Sequence, residues 1–159
     1  MLRAFARLHL ERSDTELLVV GPTGLSVNQP GVRVIGRVSR EEPGGERRMA
    51  ELYERATAFV LPSLYEPLGV AVIEAMAFGL PCIGSTGGAI EELVEEGRTG
   101  FLVEPGDEEA LLGYMRQLAE SPELCRSLGD AAATRFAERF TWDSVARRIL
   151  EAIASRRGG

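Results

Sequence analysis

Glu66 and Glu74 stand eight positions apart in the run Leu61-Pro-Ser-Leu-Tyr-Glu-Pro-Leu-Gly-Val-Ala-Val-Ile-Glu74. The first carboxylate falls in a turn after an apolar run. The second falls inside the helix predicted from Leu68 to Phe78, which Pro67 opens because a proline is tolerated in the first helical turn. A helix N-terminus has free N–H groups and a positive dipole end, so it favours anions and oxygen acceptors. Here the donors are the N–H groups of Leu68, Gly69 and Val70; Pro67 has none. Gly69 has no side chain to keep a ligand from the backbone. A carboxylate beside such donors can accept hydrogen bonds from sugar hydroxyls. Glu74 lies about two turns along, on the stripe of Val70 and Phe78. If that stripe faces a cleft, one carboxylate can take the paired 2′ and 3′ hydroxyls of a ribose, with acceptors matching donors in number. One strand later, Ser85-Thr86-Gly87-Gly88 opens another helix, and a glycine pair at a helix start resembles a phosphate cradle.

The elements that position these residues alternate. Leu2, Phe5, Leu8 and His9 have helical spacing over 2–12. Glu16–Val20 and Val32–Ile35 read as short strands, joined by a loop over Gly21–Pro30. A helix follows over Arg47–Thr57, after the interrupting stretch Glu41-Glu42-Pro43-Gly44-Gly45. Ala58–Leu61, Cys82–Gly84 and Phe101–Val103 read as strands, with helices over Leu68–Phe78 and Ala89–Glu96 between them. Three helices close the chain: Glu108–Ala119, Pro122–Phe140 and Trp142–Ser155, with Pro122 and Thr141 as start signals. Short apolar strands alternating with helices specify an α/β fold with a doubly wound, parallel, Rossmann-like sheet and extra C-terminal helices. In such sheets ligands bind beyond the carboxyl ends of the strands. The Glu66 turn and the Ser85–Gly88 loop both fall there.

The 159 residues are one domain's worth, 45% apolar and 26% charged. The division expected is 1–140 as a Rossmann-like ligand-binding unit and 141–159 as a C-terminal helix. The net charge is −6 and no basic block stands out, which argues against nucleic acid as a partner. No stretch approaches a membrane span of about 20 apolar residues, and no signal-peptide core opens the chain. Cys82 and Cys125 lack metal-ligand spacing, and the single His9 cannot build a zinc site. A reduced cytoplasmic setting is the expectation, with room for a full-length protein to sit at the membrane periphery. The chain has no lysine, so no phosphate-binding or Schiff-base lysine is available. Among the residues read as structural, Glu91-Glu92 and Glu95-Glu96 form a solvated helix face, Arg98 is a surface charge, and Trp142 and Phe140 anchor the last helix by packing.

Taken together, Pro62-Ser63, Glu66, Leu68-Gly69, the run Glu74-Ala-Met-Ala-Phe-Gly-Leu-Pro81, Gly87-Gly88 and Gly97-Arg98-Thr99-Gly100-Phe101-Leu102-Val103 resemble the glycosyltransferase group 1 family, which has the two-domain GT-B architecture. The resemblance covers almost the whole chain. It implies that Glu66 is the catalytic-site carboxylate that contacts a donor hexose, and that Glu74 holds the ribose. It places Leu68, Gly69, Val70, Gly87 and Gly88 near the diphosphate and sugar, and the backbone at Arg37-Val38 near the nucleobase. Members with this glutamate pair mostly retain anomeric configuration and need no tightly bound metal, so no cofactor is expected beyond the nucleotide sugar.

The sequence departs from that family at its start. The family's donor domain begins with a strand followed by an Arg and a Lys that clamp the diphosphate, and an acceptor-binding domain precedes it. Those parts are missing here, so the chain is expected to be a fragment or a product with a lost or misassigned start, without turnover on its own. The alternative reading is a degenerate nucleotide-sugar-binding module that acts only with a separate acceptor domain. Loss of a central strand leaves the strands at Glu16–Val20 and Ala58–Leu61 with open ladder edges. They are therefore expected to pair directly, or the region to be distorted.

Overall fold

The computed structural model describes residues 1–21 and 23–157. The chain runs α1 (Leu2–Glu11), β1 (Leu17–Val20), β2 (Val32–Gly36), α2 (Gly45–Arg55), β3 (Phe59–Leu61), α3 (Val70–Ala77), β4 (Cys82–Ser85), α4 (Ile90–Leu93), β5 (Gly100–Val103), α5 (Glu108–Glu120), α6 (Pro122–Arg139) and α7 (Trp142–Arg157). Every ladder is parallel, in the orders β1-β2 and β3-β4-β5.

The strands are short apolar runs, and β4 is buried along its whole length, while β2 carries an exposed Arg33. Alternation along β4 sends neighbouring side chains to opposite layers. Cys82 enters a layer with Tyr53, Val72, Met76 and Ile90. Ile83 enters the other, with Phe5, Leu8, Phe101, Leu112 and Met115. Helix α1 supplies Ala4, Phe5 and Leu8 to that second layer, one face of an amphipathic helix. Helices α5 and α6 begin at side-chain caps: Asp107 accepts the Ala110 N–H at 2.9 Å and Ser121 accepts the Leu124 N–H at 3.2 Å.

Direct pairing of β1 with β3 does not occur. Among the described residues no ladder joins them, and the sheet is divided into two pieces. What holds the pieces together is the layer beneath. Leu17 and Val32 from one piece, and Ala58 and Val60 from the other, pack against the same apolar cluster. Side-chain burial thus substitutes for the missing backbone pairing.

Three further expectations need correction. Helix α3 starts at Val70 rather than Leu68, because Gly69 precedes it in the left-handed region at φ 65°. Helix α4 is a single turn, Ile90–Leu93, instead of reaching Glu96. The chain turns back there, with the Thr99 hydroxyl accepting the Glu95 N–H at 2.8 Å and the Thr99 N–H donating to the Glu95 carbonyl at 2.9 Å. Trp142 does not anchor α7: it is 88% exposed, and Ile149, Leu150 and Ile153 are exposed beyond it. Phe140 does pack, against the layer around Tyr53 and Met76.

Candidate functional site

The turn from β3 to α3 and the turn from β4 to α4 are joined by their backbones. The Glu66 N–H donates to the Gly87 carbonyl and the Ala89 N–H donates to the Glu66 carbonyl, each at 2.8 Å. The Ser85 hydroxyl adds a bond to the Ser63 carbonyl. This close approach explains the glycine pair. A Cβ on Gly87 would lie 2.4 Å from the Leu64 carbonyl oxygen, and one on Gly88 2.4 Å from that of Glu66; Gly88 also has φ +104°. The first demand on these glycines is therefore tight packing of two turns. The N–H groups of Gly87 and Gly88 find no acceptor among the described residues and stay available to donate to a ligand.

The Glu66 carboxylate folds back onto its own turn. Its Oε1 accepts the Gly69 N–H at 3.1 Å and, at a longer 3.4 Å, the Leu68 N–H. Two of the three N–H groups expected to face a ligand are thus spent on Glu66. The donors left at the start of α3 are Val70 and Ala71, which have no acceptor among the described residues. The exchange fixes the Glu66 side chain and leaves its second oxygen open. Around it the turn presents Leu64, Tyr65, Leu68 and Val70 to solvent.

Glu74 stands on α3 with its side chain 27% exposed. Arg40, from the segment between β2 and α2, pairs with its Oε1 at 2.6 Å. The Tyr53 hydroxyl, from α2, donates to its Oε2 at 3.0 Å. The Tyr53 ring stacks on Phe78 with centroids 5.2 Å apart. Burial, followed by the negative charge of Glu74 and the hydrogen bond to it, holds the Tyr53 hydroxyl above the ordinary tyrosine range, so it remains a donor. Each Glu74 oxygen thus has one partner and one lone pair to spare.

Arg37 and Val38 line a crevice of about 90 Å³ with Ser39, Glu42, Pro43, Gly44, Gly45 and Arg48. The crevice is shallow, but Arg40 ties its wall to Glu74. Three strand-to-helix turns, after β2, β3 and β4, therefore meet around the two glutamates. Tyr53 and Arg40 were not found from sequence. No motif or spacing in the sequence marks either residue. Only the meeting of α2 with α3 gives them a partner.

Glu91 and Glu92 are exposed on α4, as expected of a solvated face, whereas Glu95 and Glu96 lie beyond the helix and make structural contacts. Glu95 pairs with Arg98 at 2.8 Å and with Arg135, while Glu96 accepts the Leu102 N–H and, at 3.2 Å, the Tyr114 hydroxyl. Cys82 is fully buried, and burial pushes its thiol up to about 12, which leaves it unreactive. Among the described residues no group of three or more His, Cys, Asp or Glu could hold a metal ion, and no helix is long and apolar enough to cross a membrane.

A parallel α/β sheet with a glutamate pair and a glycine pair at its carboxyl edge fits one half of a GT-B architecture. The Glycosyl transferases group 1 profile matches residues 1–121, and the chain belongs to that family. It is 37% identical to the MMP alpha-(1->4)-mannosyltransferase of Mycolicibacterium hassiacum, over 94% of this chain and 38% of that one. It is 34% identical to the D-inositol 3-phosphate glycosyltransferase of Streptomyces coelicolor, over 92% and 35%. The chain thus spans little more than a third of the length of these curated relatives. The fold matches the sucrose-phosphate synthase of Thermosynechococcus elongatus with a TM-score of 0.76 and 25% identity, over 99% of this chain and 42% of that one. It also matches HepE of Anabaena, solved with UDP, with a TM-score of 0.78 and 21% identity, over 97% and 44%.

Proposed function

We propose that this chain is the donor-binding part of a glycosyltransferase that passes a hexosyl group from a nucleotide sugar to an acceptor, with retention of anomeric configuration. Residues 1–140 would form the donor-binding unit and 141–159 a separate helix, and another domain would hold the acceptor. The observation that carries this reading is the backbone bridge that sets Glu66 against Gly87-Gly88 at the carboxyl edge of the sheet. Names among the relatives, a mannosyltransferase and an inositol-phosphate glycosyltransferase, and the UDP bound by a structural neighbour support the same substrate class.

In this reading Glu66 is the catalytic-site carboxylate. Held by the Gly69 N–H, it offers its free oxygen to a hexose hydroxyl and orients the anomeric carbon. As the sugar–phosphate bond breaks, negative charge grows on the leaving diphosphate. The N–H groups of Val70, Ala71, Gly87 and Gly88 and the positive end of α3 meet that charge. Glu74 takes the ribose hydroxyls, and the base lies against Arg37-Val38. The reading assigns no metal ion and no further cofactor.

The test is titration calorimetry with UDP, GDP and ADP, together with transfer assays after the acceptor-binding half is supplied. Glu74→Ala is expected to weaken nucleoside diphosphate binding, whereas Glu66→Ala mainly lowers sugar transfer. Unchanged nucleotide binding in Glu74→Ala sinks the ribose assignment. A second reading, a binding module without turnover, is favoured by one observation: Leu68 and Gly69 have already spent their N–H groups on Glu66. Transfer in the reconstituted protein would exclude it.

A further inference from the structure

Glu74 is held from two sides by residues that no sequence motif marked. Arg40 takes Oε1 at 2.6 Å and Tyr53 takes Oε2 at 3.0 Å, so the carboxylate plane is fixed at both oxygens. Tyr53 is itself held. It is 8% exposed, stacks on Phe78 at 5.2 Å and lies against Phe59 at 6.0 Å. Phe78 caps the C-terminal end of α3, one turn after Glu74, so α2 grips this end of α3 at two adjacent points: by ring contact and by a hydrogen bond. Tyr53 is buried as a residue, and Glu74 is the hydrogen-bond partner of its hydroxyl.

We propose that Tyr53 is a positioning residue of the nucleotide site, which fixes the Glu74 carboxylate so that its two free lone pairs face the vicinal 2′ and 3′ hydroxyls of a ribose. This rests on the assignment of Glu74 to the ribose made above and adds to it the residue that sets its orientation. The argument is one of counting and geometry. A carboxylate has about four lone-pair sites. Two are filled by Arg40 and Tyr53, on different oxygens. The two that remain are therefore also on different oxygens, a spacing that suits a pair of neighbouring hydroxyls better than a single one. Without the Tyr53 hydroxyl the carboxylate can rotate about its last torsion, which is soft, and bidentate acceptance is lost. Arg40 adds a second consequence. Because it comes from the segment that lines the Arg37-Val38 crevice, the ribose carboxylate and the base-side loop move as one unit.

The test uses the chain with UDP, GDP and ADP and with their 2′,3′-dideoxy counterparts, titrated against the unaltered protein and Tyr53→Phe. The Phe ring keeps the stacking on Phe78 and removes only the hydroxyl. Loss of one well-placed hydrogen bond is expected to weaken binding of the ordinary diphosphate about 5- to 10-fold. The dideoxy diphosphate has nothing for Glu74 to hold, so its affinity should change less than about 2-fold. In a Glu74→Gln background, Tyr53→Phe should likewise add no further loss for the ordinary diphosphate. An equal loss for both nucleotides would show that Tyr53 acts only on the fold, and no loss for either would remove it from the site; each result overturns the inference alone. If the unaltered chain binds none of the three diphosphates, the donor-binding reading falls with it.

Discussion

Glu66 and Gly88 form an isolated parallel bridge between two turns that are otherwise separate in the chain. Main-chain bonds of 2.8 Å run from Glu66 to Gly87 and from Ala89 to Glu66. The carboxylate at the centre of the site is therefore held by backbone on both sides, and its own turn is held by Gly69. A site built this way gains its geometry from glycine, because only a residue without Cβ lets the two backbones touch.

Gly88→Ala tests that bridge. The added Cβ would lie 2.4 Å from the Glu66 oxygen, at φ +104°. Strain and overpacking together are expected to destabilise the protein by about 2–4 kcal/mol and to weaken nucleoside diphosphate binding. Gly97→Ala is the control: φ is +69° but nothing lies within 4 Å of its Cβ. It should cost only the left-handed backbone term of about 1–2 kcal/mol. Thermal melts with nucleotide titration decide; equal behaviour of the two variants would show that the close approach does not matter.

Much of this was legible in the chain, for identifiable reasons. Helix α6 announces its start with Ser121-Pro122, a cap followed by a residue suited to the first turn, and its observed start agrees. The strands read correctly because each is a short, mainly apolar run between turn residues. Helix α4 did not, because Ile90-Glu-Glu-Leu-Val-Glu-Glu has helical periodicity. What ends it is tertiary: the Thr99 turn and Arg135, which reaches back across 42 residues to the Leu93 carbonyl. Of the two outcomes expected for the open edges, direct β1–β3 pairing does not occur, because the cluster beneath both strands holds them; the region is distorted instead, with the sheet divided and the β1–β2 register irregular between Val19 and Val20. Trp142 was read as an anchor from its size, yet what a large apolar side chain packs against is set by the rest of the fold. Glu66 and Glu74 could be picked out because their turn and helix lie between strong strand signals. Tyr53 and Arg40 could not, since their contact with Glu74 depends on how α2 and the loop before it dock.

Arg135, on α6, joins that helix to the segment around α4 through several contacts at once. Its side chain is 12% exposed and pairs with Glu95. It also donates to the Leu93 carbonyl at 2.8 Å and the Glu92 carbonyl at 2.7 Å, and it lies 5.8 Å from the Phe140 ring centroid. It thereby satisfies the carbonyl end of the short α4, which its own turn cannot. Arg135→Ala should lower stability by roughly 3 kcal/mol, since a nearly buried charge pair and two carbonyls lose their partner. Arg135→Lys should recover little of it, because one ammonium cannot span the fork. Denaturant unfolding checks this; a shift below about 1 kcal/mol would place Arg135 among the ordinary surface charges.

The Tyr53 hydroxyl should stay protonated well beyond the ordinary tyrosine range, whose reference value is 10.0. Burial raises it first, and the adjacent Glu74 charge raises it further. The sign follows from proton binding. A tyrosine held above its unfolded value keeps its proton in the folded state after the unfolded chain has lost it. Its contribution is therefore complete below pH 10 and is lost as pH rises above it. Absorbance titration of the native protein against Tyr53→Phe should show no Tyr53 ionisation near pH 10, and ionisation only with alkaline unfolding. A Tyr53 signal at pH 10 would mean that its bond to Glu74 is absent in solution.

The acid limb of stability should be set in part by the seam between α1 and α5. Glu11 pairs with Arg116 at 2.7 Å, and Glu109 pairs with Arg7. Hydrogen bonding to these guanidiniums, with their charge, holds both carboxylates below the reference value of 4.5. For a depressed carboxylate the stabilisation is present above its unfolded value and is lost as pH falls through the lower, folded value. Both pairs are solvent-exposed, so salt should weaken them. The double variant Arg7→Gln, Arg116→Gln releases both carboxylates to their ordinary range. Its melting temperature at neutral pH should be slightly lower than that of the unaltered chain. From about pH 5 to about pH 3 it should fall less steeply, because fewer protons are taken up on unfolding. Added salt at neutral pH should narrow the gap between the two proteins. Parallel acid slopes would show that neither pair holds its carboxylate below the ordinary range in solution.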